Sequence, residues 1–324
     1  MDEVFEQVVA ENRELRKQVK ALRERVSALE SSRWWRLHPR RLLSAARTSS
    51  QHDIRAAPIA AAAKVKRVAD IWRLKVEYDR RSAGREADEV VIRQGMSLKV
   101  HPQAWVSFKL FCYGAPEQVD ELDAFIANTS ECERLLDVGA ADGVFSLVFA
   151  LNNPNRRALA VDASPMTFAR LLYNIHRNNA ENVTAVECAL SNEPGIMDMQ
   201  YASDYAMADA GADGVPTLRV RRKTGDDLCA RHAFEPDVVK IDVEGHELRV
   251  VQGLAKTLDR LRPLLFLEIH PQMIAAAPGN GTVAELVAEL ERRGYRSAEL
   301  RGSSVPVEAL AELTEIERVL LRPE

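Results

Sequence analysis

The stretch Leu135-Leu-Asp-Val-Gly-Ala-Ala-Asp-Gly143 decides the fold of this chain. A short apolar run ends at Gly139 and Gly143, and a helical pattern follows at once. In an open parallel sheet, such a turn lies at the carboxyl edge, where ligands bind. The glycines are spaced GxxxG and lack the third glycine of a GxGxxG turn, which disfavours a nicotinamide-dependent oxidoreductase.

Short apolar runs alternate with helical stretches on both sides of this turn. We predict strands over residues 134–139, 157–162, 182–188, 237–242, 264–269, 295–300 and 318–321. We predict helices over residues 146–152, 165–178, 246–261 and 282–293. This alternation predicts an α/β fold with a seven-stranded, mostly parallel sheet covered by helices on both faces. Two further strand-like runs, 197–201 and 218–222, flank a loop rich in Ala, Gly and Asp.

The first 88 residues have a different pattern, which divides the chain into three regions. Residues 1–31 carry heptads, with a and d positions at Phe5, Val8, Asn12, Leu15, Val19, Leu22, Val26 and Leu29. Val at a and Leu at d favour a parallel two-stranded coiled coil, so we predict a homodimer; the alternative is one amphipathic helix lying on its own domain. We predict a basic helical arm over residues 32–88 and the α/β domain over residues 89–324.

Charge and composition limit the partners. The 324 residues carry a formal net charge of −4, yet residues 31–86 hold 14 Lys and Arg against 5 Asp and Glu. Trp34 and Trp35 in this arm suit either a peripheral contact with an anionic membrane or packing against the domain. No cluster of basic residues accompanies the aromatic residues of the domain, so we expect no nucleic-acid partner. The sequence has no signal-peptide pattern and no apolar run of about 18 residues, so we expect a cytoplasmic protein, at most peripheral to the membrane. The four scattered cysteines predict no zinc site and no disulfide.

Several motifs beyond the glycine turn share one order along the chain. They are the string Asp237-Val-Val-Lys-Ile-Asp-Val-Glu-Gly-His-Glu247, the run Arg262-Pro-Leu-Leu-Phe-Leu-Glu-Ile-His270, an acid with Ser-Pro after the second strand, Asn174, and Ala189-Leu-Ser191. Over about residues 106–270, this order closely resembles the FkbM family of methyltransferases. The resemblance implies a Rossmann-like methyltransferase fold, S-adenosylmethionine as methyl donor, and O-methylation of a hydroxyl on a sugar, polysaccharide or secondary metabolite.

The resemblance also implies the residues that hold the cofactor. These are Asp137, Gly139, Ala140 and Gly143 at the methionine end, Asp162 and Ala163 at the ribose, and Cys188 and Ala189 at the adenine edge. The chain departs from the family at Ala141, where Asn is frequent, and at Asp162-Ala163, where Glu-Pro is frequent. Asp keeps the acceptor chemistry of Glu on a shorter side chain, so we expect cofactor binding to persist.

Transfer to an alcohol also requires a group that removes the hydroxyl proton. Asp242, Glu244, Glu268 and His270 follow the fourth and fifth predicted strands, at the same edge as the cofactor. One of them is the expected base, although the set could also bind Mg²⁺. We expect His246 to be a surface residue and Lys240 to pair with a nearby carboxylate.

Two rival functions remain open. One is a non-catalytic scaffold in which the coiled coil and arm bind partners and the cofactor pocket is vestigial; retention of the pocket residues speaks against it. The other is a protein or nucleic-acid methyltransferase that uses the basic arm. No Asn-Pro-Pro-Tyr turn follows the fourth strand, where Asp242-Val-Glu-Gly stands instead.

Overall fold

The computed structural model describes residues 88–92, 95–114, 116–201, 206–208, 217–276 and 279–323. The coiled coil predicted over residues 1–31 and the arm up to residue 87 lie outside the described residues. The homodimer and the membrane contact therefore stay predictions. Within the described ranges, no helix has both the length and the apolar character needed to cross a bilayer.

The described chain alternates strands and helices along most of its length. The strands are β1 Asp88–Val91, β2 Ser97–Val100, β3 Arg134–Val138, β4 Arg157–Asp162, β5 Val183–Glu187, β6 Ala189–Leu190, β7 Gly195–Tyr201, β8 Ala206–Ala208, β9 Thr217–Lys223, β10 Val238–Ile241, β11 Leu264–Ile269, β12 Tyr295–Leu300, β13 Ser303–Pro306 and β14 Glu317–Pro323. The α-helices are α1 Trp105–Tyr113, α2 Pro116–Asn128, α3 Val144–Asn152, α4 Pro165–Arg177, α5 Gly225–Arg231, α6 Glu247–Gly253, α7 Ala255–Leu261, α8 Pro271–Ala276 and α9 Val283–Arg292. A 3-10 helix spans Val307–Glu312.

The main sheet has eight strands in the order β13-β12-β14-β11-β10-β3-β4-β5. The five strands from β11 to β5 are parallel, and β14, β12 and β13 pair antiparallel at one end. The prediction of a mostly parallel sheet is confirmed, but the count of seven strands is wrong. The eighth strand, β13, was missed because its sequence Ser-Ser-Val-Pro has little apolar character and pairs only at the sheet edge.

Helices cover both faces of this sheet because its central strands are apolar on both sides. In β3, Leu136 and Val138 face one core, while Leu135 faces the other. Parallel strands buried on both faces read as continuous apolar runs. The helix α3 that follows β3 is itself almost wholly buried, which fixes the glycine turn between them.

Two further differences from the sequence prediction affect the walls of the site. The helix predicted over residues 246–261 is two helices, α6 and α7, interrupted at Leu254. The strand-like runs at 197–201 and 218–222 pair antiparallel as β7 and β9, in a separate sheet of order β6-β9-β7-β8. This second sheet stands beside the carboxyl end of β5, from which β6 follows directly.

Candidate active site

A cleft opens at the carboxyl edge of the parallel strands. Seven of the residues predicted for the site line it: Gly139, Asp162, Ala163, Cys188, Ala189, Asp242 and Glu244. The other five, Asp137, Ala140, Gly143, Glu268 and His270, do not line it. The structure thus brings the predicted cofactor loops and two of the predicted catalytic acids to one cleft.

The glycine turn after β3 lies against the loop after β10. Gly139 adopts φ +81°, and a Cβ added there would overlap the backbone carbonyl oxygen of Asp242. The amides of Gly139 and Ala140 both donate to the carbonyl of Val161, at 2.9 and 3.0 Å. Only glycine combines this φ with so close an approach, so Gly139 is required for the two loops to meet.

Asp137 lies beneath this turn and is almost completely buried. Its Oδ2 accepts a hydrogen bond from the Ser146 hydroxyl at 2.6 Å, whereas its Oδ1 has no partner among the described residues. Burial raises the pKa of the Asp137 carboxyl. A buried acceptor without a donor is costly unless a further group satisfies it, so Asp137 suits a cationic or hydrogen-bonding ligand.

Asp162 ends β4 and binds the surrounding backbone with both carboxylate oxygens. Its Oδ2 accepts from the amide of Ala141 at 2.8 Å, and its Oδ1 accepts from the amide of Ser164 at 2.9 Å and the hydroxyl of Thr167 at 2.5 Å. Burial raises its pKa to about 6, although these hydrogen bonds favour the ionised form. A carboxylate oxygen can accept two hydrogen bonds, and Oδ2 accepts only one here, so Asp162 can still receive a donor from the cleft.

The opposite wall of the cleft is apolar. Cys188 and Ala189 are buried, and Met197 and Met199 reach the cleft from the second sheet. Burial raises the pKa of the Cys188 thiol to about 11, so it remains protonated and behaves as a small apolar side chain. A flat aromatic ring would suit this wall.

His246 is buried, so the expectation of a surface residue is wrong. Its Nδ1 lies 3.1 Å from the side-chain oxygen of Asn280, and its Nε2 lies 3.1 Å from the Ser191 hydroxyl. The amide nitrogen of Asn280 donates to the carbonyl of Gly245, so the Asn280 oxygen accepts from Nδ1–H of His246. Burial lowers the pKa of His246 to about 4, and the ring is a neutral link between the walls of the cleft.

Four carboxylates surround the imidazole of His270, which lies next to the part of the cleft lined by Asp242 and Glu244. The Nδ1 atom of His270 lies 2.8 Å from Oε1 of Glu247. Its Nε2 atom lies 3.6 Å from a carboxylate oxygen of Glu244, 3.8 Å from one of Glu268 and 4.0 Å from one of Asp242. The four residues predicted to carry the chemistry therefore form one cluster.

Burial and the neighbouring charges shift the pKa of each residue in the cluster. Burial disfavours the imidazolium of His270, but the hydrogen bond to Glu247 and the neighbouring carboxylates outweigh it and raise the pKa of His270 to about 9. Burial raises the pKa of Glu244, and burial together with Asp242 raises the pKa of Glu268 to about 8. For Asp242, Lys240 and His270 outweigh burial and lower its pKa.

Two cations pair with acids of the cluster. Lys240 Nζ lies 3.4 Å from Asp242 and 3.7 Å from Glu121. Arg318 lies 2.6 Å from Glu121 and 2.7 Å from Glu268. The prediction that Lys240 pairs with a carboxylate is confirmed.

A divalent cation fits this arrangement poorly. Asp242, Glu268 and His270 each offer one ligand atom, and these atoms lie within 4.8 Å of one another. Lys240 and Arg318 already balance the two carboxylates, and a second cation would have to displace them. The possible Mg²⁺ therefore finds no support in the donor set.

A buried network beneath the glycine turn was missed by the sequence analysis, apart from Asn174. Asp142 accepts hydrogen bonds from Arg170 at 2.5 Å and from the Ser107 hydroxyl at 2.7 Å. Asn174 donates to the carbonyl of Asp142 at 2.8 Å and accepts from the amide of His101 at 2.7 Å. This network holds the turn against α4 and the segment before α1; only Asn174 carried a sequence signal.

Comparison with known proteins gives the family. Residues 137–297 match the model of the family described as Methyltransferase FkbM domain. The hexuronic acid methyltransferase AglP from Haloferax volcanii is 26% identical over 152 residues, which cover 47% of this chain and 62% of AglP. The methyltransferase sdnD from Sordaria araneosa is 25% identical over 163 residues, with 40% of this chain and 63% of sdnD covered.

A solved structure of a methyltransferase FkbM from Methylobacillus flagellatus KT is also similar. It is 17% identical with a TM-score of 0.41, over 78% of this chain and 60% of that chain. The chain spans less than two thirds of the length of either curated relative. Residues 137–297 of this chain are a methyltransferase domain of the FkbM family.

Proposed function

We propose that this chain transfers the methyl group of S-adenosylmethionine to a hydroxyl of a sugar or a related small molecule. One observation carries the proposal: the glycine turn, Asp162 at the end of β4 and the acids Asp242 and Glu244 line a single cleft. A donor held at one end of this cleft would face an acidic cluster at the other. Family membership of residues 137–297 supports the reaction class.

The residues of the cleft fit the donor. Gly139 and Ala141 line the cleft and suit the donor's amino-acid part, and the buried, unpartnered oxygen of Asp137 beneath this turn suits its ammonium group. Asp162 suits the ribose hydroxyls, and the wall at Cys188 and Ala189 suits the adenine ring. When bound, S-adenosylmethionine supplies an electrophilic methyl group on its sulfonium.

Glu244 is our candidate for the base that removes the hydroxyl proton. It lines the cleft, its side chain is 29% exposed, and burial raises its pKa. A base with a raised pKa accepts a proton from an alcohol more readily than Asp242, whose pKa is lowered. Asp242 would help to orient the hydroxyl, and His270 would hold Glu244 from behind.

A sugar is our preferred acceptor. The relative AglP is named a hexuronic acid methyltransferase, and its similarity to this chain supports a sugar hydroxyl as the methylated group. Neighbouring hydroxyls of a sugar also suit the paired carboxylates of Asp242 and Glu244, which accept hydrogen bonds from both. A polysaccharide and a secondary metabolite with a sugar-like hydroxyl belong to the same proposal.

Donor binding is tested by calorimetric titration of S-adenosylmethionine and S-adenosylhomocysteine into the purified chain. We expect saturable binding to the wild type, and loss of binding in Asp162→Ala and Asp137→Ala. A folded wild-type protein that binds neither compound would contradict the proposal and favour the scaffold.

Acceptor and base are tested by methyl transfer to a panel of sugars and nucleotide sugars, with a protein and an RNA as further arms. Glu244→Gln should lower kcat by about 10²- to 10⁴-fold and leave S-adenosylhomocysteine binding intact. Glu181→Gln, an exposed acid outside the cleft, is the matched control. Methylation of the protein or the RNA alone would replace the sugar proposal with that rival.

A further inference from the structure

Glu247 lies directly behind the acidic cluster, in the first turn of α6. Its side chain is completely buried. One oxygen, Oε1, accepts from the backbone amide of Gly245 at 3.0 Å and contacts Nδ1 of His270 at 2.8 Å. The other oxygen, Oε2, has no hydrogen-bond partner among the described residues. Burying a carboxylate costs free energy unless it is paired and hydrogen-bonded. The two contacts of Oε1 therefore compensate for the burial of Glu247.

The contact with Glu247 orients the ring of His270. Because the pKa of His270 is raised to about 9, both ring nitrogens carry protons near neutral pH. An ionised carboxylate only accepts hydrogen bonds, so Nδ1 of His270 must be the donor. The ring is thereby fixed with Nε2 on the opposite side, 3.6 Å from Glu244 and 4.0 Å from Asp242. The partner of one imidazole nitrogen commonly sets the state and orientation of the other.

The same oxygen also holds the loop that carries the predicted base. Glu244 and Gly245 both have left-handed backbones, with φ +52° and +97°. A non-glycine residue in this region costs free energy and persists only when its surroundings fix it. The hydrogen bond from the amide of Gly245 to Glu247 is one such constraint, placed one residue after Glu244.

We infer that Glu247 is a positioning residue: through His270 and the Gly245 amide it holds the carboxylate of Glu244 towards the acceptor hydroxyl. This inference rests on the proposed function, since it matters for catalysis only if Glu244 accepts the proton. Glu247 itself does not touch the cleft, which Glu244 and Asp242 line. Its loss should therefore lower kcat and leave donor binding unchanged.

The test compares the wild type with Glu247→Gln, which keeps the shape and one acceptor oxygen but removes the charge. Glu285→Gln is the matched control, because Glu285 is also a first-turn glutamate, at the exposed start of α9. We expect kcat to fall about 10²-fold in Glu247→Gln, the lower end of the effect of general-base catalysis. Affinity for S-adenosylhomocysteine should stay within about twofold, since the donor residues are untouched.

A spectroscopic measurement on the wild type makes the inference independent of how the variant folds. Nuclear magnetic resonance of ¹⁵N-labelled histidine, assigned with His270→Gln, should find a slowly exchanging proton on Nδ1 of His270. A ring without that proton would overturn the inference, as would an unchanged kcat in Glu247→Gln. Joint loss of kcat and of S-adenosylhomocysteine binding would indicate a structural role and also overturn it.

Failure of the proposed function can be distinguished from failure of the inference about Glu247. A wild type that binds the donor but methylates no acceptor would refute the hydroxyl chemistry. The ring-proton measurement would then still decide whether Glu247 orients His270.

Discussion

The replacement Gly139→Ala tests the meeting of the glycine turn with the loop after β10. Gly139 has φ +81°, and an added Cβ would overlap the carbonyl oxygen of Asp242 and lie 2.8 Å from its carbonyl carbon. Gly302 is a matched control, because it has φ +73° in the turn between β12 and β13 with no atom within 4 Å of an added Cβ. Both replacements strain the backbone, but only Gly139→Ala forces two loops apart.

The two effects can be separated in magnitude. A left-handed backbone costs an L-residue about 1–2 kcal/mol, so Gly302→Ala should lower the free energy of unfolding by about that amount. Gly139→Ala adds the cost of overpacking, about 1–3 kcal/mol, for a total of about 2–5 kcal/mol. At about 2–4 °C per kcal/mol for a domain of this size, Tm should fall by about 2–8 °C in the control and about 4–20 °C in Gly139→Ala.

The assay is thermal unfolding with and without saturating S-adenosylhomocysteine. A ligand that binds only the folded state raises Tm, so the control should keep the ligand-induced increase. Gly139→Ala should lose it, because displacement of the Asp242 backbone opens the cleft. A Gly139→Ala protein that matches the control in Tm and still gains stability from the ligand would refute the close approach and its role in binding.

Three further predictions concern the same domain. Because burial raises the pKa of Asp162 to about 6, its ionised fraction falls as pH decreases; calorimetric affinity for S-adenosylhomocysteine should fall about tenfold from pH 7 to pH 5, and Asp162→Asn should show no such slope. Dialysis against EDTA should leave methyl transfer unchanged, since Lys240 and Arg318 already pair with the two carboxylates that a metal ion would need, Asp242 and Glu268; a loss that Mg²⁺ restores would contradict this. Asn174→Ala should lower the free energy of unfolding in urea by about 2–5 kcal/mol, because the amide of His101 and the carbonyl of Asp142 would lose their buried partner; a change below about 0.5 kcal/mol would disprove that role.

Most strands of the parallel sheet could be predicted from local sequence patterns. The apolar runs of β3, β4 and β10 are continuous because both faces are buried, and such runs stand out from their polar surroundings. Edge strands lack this property, which is why β13 was missed and the strand count was one too low. The break at Leu254 was also missed, since the helical periodicity on its two sides is in phase.

For the candidate site, the order of motifs predicted which loops meet at the sheet edge, but it did not predict which side chains contact each other there. The positions of Asp162, Asp242 and Glu244 after parallel strands predicted a shared edge, because the carboxyl ends of such strands meet there. The burial of His246 depends on its contacts with Ser191 and Asn280, and the contact of Glu247 with His270 depends on α6 lying against the turn after β11. Neither pairing leaves a periodic trace in the sequence.

The sequence by itself determined the fold class, the glycine turn and the family, because these depend on short-range patterns and on motif order. Only the tertiary structure decided that Lys240 pairs with Asp242 and Arg318 with Glu268, and that a buried oxygen of Glu247 contacts His270. Electrostatic effects depend on distance and burial in space, and residues such as Glu121 and Arg318 are 197 positions apart in the chain. Their meeting is a property of the folded sheet and not of any local stretch.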